Sequence, residues 1–223
     1  MATLWKLISS SVGTKALLAL SGLALSAYLV IHLIGNLFIF LGPAVLNGWG
    51  HTLISNPLVI PAEIGLAVIF LIHAYKAVVN WWTNRGARPT GYAVKRWAGH
   101  TSRKNVGSAT MIVTGSIVLL FVVIHVAAFK YGAFYEPPEF EPGVRDLYRL
   151  VVDTFRNPAW AAFYVACMVL IGLHLRHGLS SAFQSLGVDG ARLTPAIMLL
   201  GQVLAVLIAG GFAFIPVWAF FSR

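Results

Sequence analysis

Charge is scarce in this sequence. Asp, Glu, Lys and Arg make up 10% of its 223 residues, against 58% hydrophobic, and the mean hydropathy is +0.80. So few polar groups cannot clothe a folded domain in water, which excludes a soluble catalytic domain. Cysteine is scarcer still. Cys167 stands alone, so there is no intrachain disulfide and no iron–sulfur cluster, which needs several thiolates. No GxGxxG or P-loop pattern occurs, and with it goes any nucleotide or flavin site of those kinds. Acids are the rarest charges: 7 Asp+Glu against 16 Lys+Arg, a net charge of +9. In an apolar chain such cations belong at membrane edges and against partner proteins, not on nucleic acid.

What the chain has in abundance is long apolar runs. Five of them, at about 16–41, 59–82, 106–129, 158–179 and 194–221, are each long enough to cross some 30 Å of hydrocarbon. Gly42-Pro43 ends the first, Pro61 suits the first turn of the second, and Thr194 before Pro195 fits an N-cap for the fifth. Lys6 and Lys15 ahead of the first run resemble the start of a signal peptide. That run continues through Tyr28, His32 and Phe40, far beyond the usual 7–15 residues, so it reads as a retained span. The expectation is an all-α integral membrane protein, one domain over 1–223, with five transmembrane helices in a bundle.

The connections orient the bundle. Arg85, Arg88, Lys95, Arg96, Arg103 and Lys104 lie between the second and third runs without an acid among them. Glu136, Glu139, Glu141, Asp146 and Asp153 mix with Lys130, Arg145, Arg149 and Arg156 between the third and fourth. The positive-inside rule puts the first connection and the N-terminus in the cytoplasm and the C-terminus outside; Trp81, Trp82 and Trp97 fit an inner aromatic belt.

Four runs carry one histidine each deep in the span: His32, His73, His125 and His174. An ionisable side chain there marks a functional site by default. Singly, such a histidine is more often a helix–helix hydrogen bond. Depth decides otherwise. At 1.5 Å per residue, His32 lies about 25 Å above Lys15 and His125 about 25 Å above Ser108, both towards the outer face. His73 lies about 13 Å from Trp82 and His174 about 10 Å from Ser181, both towards the inner face. Two layers of two imidazoles, each drawn from two helices, form the ligand set of two bis-histidine haems. Neutral imidazole offers one bare nitrogen to iron, and its other nitrogen needs an acceptor. Gly35 and Gly172 lie close enough to these ligands to leave room for a flat macrocycle. A faint repeat accompanies them: Ser21-Gly22, nine residues, His32 is echoed by Thr114-Gly115, nine residues, His125, and each histidine follows Val-Ile. His51 and His100 read as loop residues, and His177 as an interfacial neighbour of Arg176.

Four stretches carry a family resemblance. They are His32-Leu33-Ile34-Gly35-Asn36-Leu37, Phe70-Leu71-Ile72-His73, Val123-Ile124-His125-Val126 and the run from His174-Leu175-Arg176-His177-Gly178 to Phe183 and Gly187. The last fits an H-x-x-[HN]-G-x-x-[ST]-x-F pattern. The chain resembles the cytochrome b membrane-anchor subunit of bacterial succinate dehydrogenase and fumarate reductase, in its single-polypeptide, five-helix, di-haem form.

The resemblance implies two haem b, His32 with His125 outside and His73 with His174 inside, and favours His174 over His177 as ligand. It implies a flavoprotein subunit and an iron–sulfur subunit docked on the cytoplasmic face of a bacterial inner membrane. Electrons from succinate would then pass by the inner and outer haems to ubiquinone or menaquinone. Glu63 becomes the candidate for quinone proton transfer, although an acid favoured by the helix dipole reads as well. Lys95, Arg96, Arg176 and His177 become candidate propionate contacts. Two rivals remain at this stage: a cytochrome b subunit of a hydrogenase or nitrate reductase, and a proton transporter using a histidine relay.

Overall fold

The computed structural model describes residues 2–87, 106–137 and 142–222, and they form helices joined by short connections, with no strand among them. In chain order these are α1 (Ala2–Ser9), α2 (Ser11–Leu37), α3 (Pro43–Ile54), α4 (Val59–Gly86), α5 (Val106–His125), α6 (Leu147–Arg156), α7 (Pro158–Ser185) and α8 (Leu193–Phe221). Five of them, α2, α4, α5, α7 and α8, are long and apolar enough to cross a membrane. A 3₁₀ turn at Phe38–Leu41 extends α2, and a π-helical turn at Val126–Lys130 extends α5. The five expected runs therefore all form helices, and α7 extends six residues further than its apolar stretch.

Local chemistry sets most of the boundaries. Ser10 caps α2 by accepting from the Gly13 amide at 3.0 Å. Asn157 caps α7 through the Ala159 amide at 2.9 Å, and Pro158 takes the first helical position, where no amide hydrogen is needed. Gly42 ends the α2 extension at φ 96° and Gly187 follows α7 at φ 80°, both conformations that favour glycine. Thr194 departs from expectation. The cap lies two residues earlier, with α8 beginning at Leu193 and Arg192 at the cap position, and the Thr194 hydroxyl serves the preceding turn by accepting from the Gly190 amide at 3.2 Å.

Four of the long helices, α2, α4, α5 and α7, pack around a square in which α2–α4, α4–α5, α5–α7 and α7–α2 are the adjacent pairs. α8 lies outside it against α7 and α2. Small residues bring these helices close. A methyl group at Gly172 would meet Ala209 at 3.0 Å, and one at Gly211 would meet Leu33 at 2.9 Å. Successive spans run antiparallel. The end holding α1 and the last turns of α4 and α7 is called proximal here, and the end holding α3 and α6 distal. At the proximal end Lys76 is 9% exposed and donates to the Ile8 carbonyl at 3.1 Å, tying α4 to α1.

The distal end is capped by α3 and α6. Asn47 is fully buried, donates to Asp146 at 2.9 Å and accepts from the Tyr148 amide at 3.0 Å, so one side chain joins both helices. Gly50 allows the contact, since a methyl group there would meet Leu147 at 2.4 Å. Arg145 closes the distal end of α5. Its guanidinium donates to the carbonyls of Phe129, Lys130, Gly132 and Ala133 at 2.8–3.1 Å. Partial burial lowers its pKa from the usual value, but guanidinium stays charged and suits the negative end of the helix.

Candidate functional site

The depth arithmetic requires that histidines from opposite helices meet in two layers. They do. His32 of α2 and His125 of α5 face each other with ring centres 5.9 Å apart, and His73 of α4 and His174 of α7 do so at 6.4 Å. Each pair bridges a diagonal of the square, α2 to α5 distally and α4 to α7 proximally, so the two pairs cross within the bundle. The ring planes lie 84° and 72° apart.

That geometry fits one metal between two imidazoles. Metal–imidazole bonds of about 2 Å set two opposed nitrogens about 4 Å apart and their ring centres about 6 Å apart. Among the described residues no group of three or more His, Cys, Asp or Glu gathers, so no metal site built from protein donors alone is found there. Two protein donors are what a haem iron needs, because the macrocycle supplies four nitrogens.

The layers have different surroundings. In the distal layer His32 stacks on Tyr28 at 5.4 Å and touches Phe212 at 5.5 Å. His125 stacks on Phe121 at 5.7 Å and meets Phe129 at 5.4 Å and Tyr164 at 6.0 Å. Phe155 of α6 covers this cluster from the distal side, 4.9 Å from Tyr164 and 5.6 Å from Phe129. The polar neighbours are the Tyr164 hydroxyl, 3.3 Å from His125 Nδ1, and the Asn36 amide, 3.4 Å from His32 Nδ1 and 3.5 Å from its Nε2. In the proximal layer, among the described residues, no aromatic ring contacts His73 or His174 except the other histidine. There the Ser21 hydroxyl lies 3.2 Å from His73 Nδ1 and the Thr114 hydroxyl 3.2 Å from His174 Nδ1.

The faint sequence repeat thus has a physical content. Eleven residues separate Ser21 from His32 and Thr114 from His125, close to three helical turns, so each hydroxyl and histidine share a face about 16 Å apart in depth. α2 and α5 each touch a proximal histidine of a neighbouring helix with the hydroxyl and supply a distal histidine of their own. The likeness extends further, since Tyr28 and Phe121 both stack one turn before their histidine.

Gly35 and Gly172 do not open space beside the ligands. A methyl group at Gly35 would strike Trp49 at 2.9 Å, and Gly172 serves the α7–α8 contact. The glycines that face the histidines are Gly22 and Gly115, where a methyl group would come within 3.0 Å and 3.3 Å of His73 and His174. Glu63 also departs from expectation. α4 starts at Val59, which puts Glu63 beyond its first turn, and its partner is the Lys130 ammonium at the end of α5. The pair lies at the distal end.

Arg176 is exposed on α7. His177 lines a cavity of about 40 Å³ with Ser180, Gln184, Thr194, Val188, Ile197 and Met198 among its walls. His51 is exposed on α3 near Ser55. Lys95, Arg96 and His100, with most of the basic connection, lie outside the described residues. Lys130, Arg145, Tyr164 and the seats of the proximal histidines were not singled out as site residues by sequence reasoning. Only the three-turn spacing from hydroxyl to histidine would have signalled any of them. No family model, no curated protein and no solved structure matches this chain.

Proposed function

We propose that this chain is the di-haem b membrane-anchor subunit of a bacterial succinate:quinone oxidoreductase, the succinate dehydrogenase or fumarate reductase class. The observation that supports it is the crossed pairing: four intramembrane histidines meet in two layers at the separation that two bis-imidazole irons require. His73 and His174 would hold the proximal haem b, and His32 and His125 the distal one. When bound, the two haems supply one-electron carriers between a cluster-bearing soluble subunit and a membrane quinone. Two imidazole donors for each haem would suit electron transfer and not oxygen chemistry.

The chain's own groups do the remaining work. The aromatic cover of Phe129, Phe155 and Tyr164 keeps water from the distal pair. Glu63 and Lys130 form an acid–base pair beside that layer, the chemistry that the two-proton turnover of a quinone requires. The basic connection after α4 docks the flavoprotein and iron–sulfur subunits on the cytoplasmic side of the inner membrane.

A reduced-minus-oxidised visible spectrum of the purified protein, with a pyridine haemochrome assay, tests the reading. Two b-type haems per chain and co-purifying flavin and iron–sulfur proteins are expected. Absence of haem would remove the redox reading and leave a histidine-relay transporter. Haem with a hydrogenase or nitrate reductase partner would keep the cofactors and change the complex.

A further inference from the structure

Each hydroxyl beside a proximal histidine has one proton, and a carbonyl of its own helix lies within reach of it. The Ser21 hydroxyl donates to the Leu17 carbonyl at 2.6 Å, and the Thr114 hydroxyl is within reach of the Thr110 and Met111 carbonyls at 3.1 and 3.2 Å. Serine and threonine bond back in this way within helices. A hydroxyl that bonds back to its own helix offers the facing ring only its oxygen lone pairs, the arrangement that suits an Nδ1–H on His73 and on His174. The next residue in both places is glycine, and a methyl group there would come within 3.0 Å of His73 Cε1 and 3.3 Å of His174 Cε1. The same two-residue step thus occurs twice, on two helices, against two histidines at the same distance.

The distal layer has no such step. The Asn36 amide nitrogen, near both ring nitrogens of His32, is a donor, and it makes its shorter bond, 2.8 Å, to the His32 carbonyl. The Tyr164 hydroxyl opposite His125 can donate or accept.

We infer that Ser21-Gly22 and Thr114-Gly115 are built seats that lock His73 and His174 as Nδ1–H tautomers, each leaving Nε2 bare for the proximal iron. The inference rests on the di-haem reading and deepens it. Ser21 and Thr114 are positioning residues. By accepting from Nδ1–H they make the imidazoles better electron donors to the metal, which favours the ferric state.

The test uses the purified full chain with its haem, and identifies the proximal component as the one lost on replacing His73. In Ser21→Ala, Thr114→Val and the double variant both b components should remain. The midpoint potential of the proximal component should rise, most in the double variant, and its low-spin ferric EPR signal should change while the distal component stays fixed. Ser21→Thr and Thr114→Ser keep a hydroxyl and should behave as the parent. Gly22→Ala or Gly115→Ala should lose the proximal component, with the retained distal spectrum showing that the bundle has folded. Unchanged proximal potential and EPR in the double variant would overturn the seats alone. A shift in the distal component instead would also overturn them. A parent protein without haem would overturn the seats together with the reading beneath them.

Discussion

Both histidine layers pair one imidazole from each of two diagonal helices, and their surroundings differ. The distal pair is boxed by Tyr28, Phe121, Phe129, Phe155, Tyr164 and Phe212, and a cover of two short helices is latched over it. The proximal pair rests on two hydroxyl–glycine steps, without an aromatic neighbour among the described residues. Aromatic packing dominates around the distal layer, and hydroxyl contacts with small-residue clearance around the proximal one. Packing is forgiving of ring rotation but sensitive to lost volume. Hydrogen bonds with small-residue clearance are sensitive to single atoms. Perturbations should therefore separate the layers.

The largest effect is expected at the distal end in turnover. Glu63→Gln should slow quinone-linked electron transfer by about 10²–10⁴-fold, the usual weight of a positioned acid or base, with both haem spectra intact. Equal turnover in parent and variant would detach Glu63 from the chemistry. Phe155→Ala should destabilise by about 3–5 kcal/mol through the cavity it leaves. On heating, the distal haem should then be released well before the proximal one; simultaneous release would mean that the cover does not serve the distal layer.

Smaller effects sharpen the contrast. Asn47→Leu leaves Asp146 and the Tyr148 amide without their buried partner and should cost about 1–3 kcal/mol, read as easier proteolysis of the α3–α6 cover. Tyr164→Phe keeps the ring and removes the hydroxyl, at a cost of about 1 kcal/mol. It should shift the potential of the distal component only. A shift in the proximal component would show that the layers are coupled through more than their haems.

Much of this architecture was legible in the sequence, for a physical reason. Helical rise is constant, so charged and capped boundaries convert residue number into depth, and depth alone pairs His32 with His125 and His73 with His174. Rotation about the helix axis is not fixed that way. Gly35 and Gly172 stood at the right depth but turned towards Trp49 and Ala209, because the facing helix decides what a glycine meets. The partnership of Glu63 with Lys130 spans 67 residues, and no local pattern announces it. Nor does composition signal the π-helical turn after His125 or the hold of Arg145 on its carbonyls, since both depend on where the distal connection returns. The Ser21-Gly22 and Thr114-Gly115 steps were visible as a repeat, and their meaning lay in a spacing of three turns.

The pairing itself is the central claim, and one experiment addresses it. Each of His32, His73, His125 and His174 is replaced by alanine in turn, and the low-temperature difference spectrum of each purified variant is resolved into its b components. Replacing His32 or His125 should abolish one component, and replacing His73 or His174 the other, with half the haem retained each time. Loss of the same component from His32→Ala and His73→Ala, or of neither, would contradict the two crossed layers.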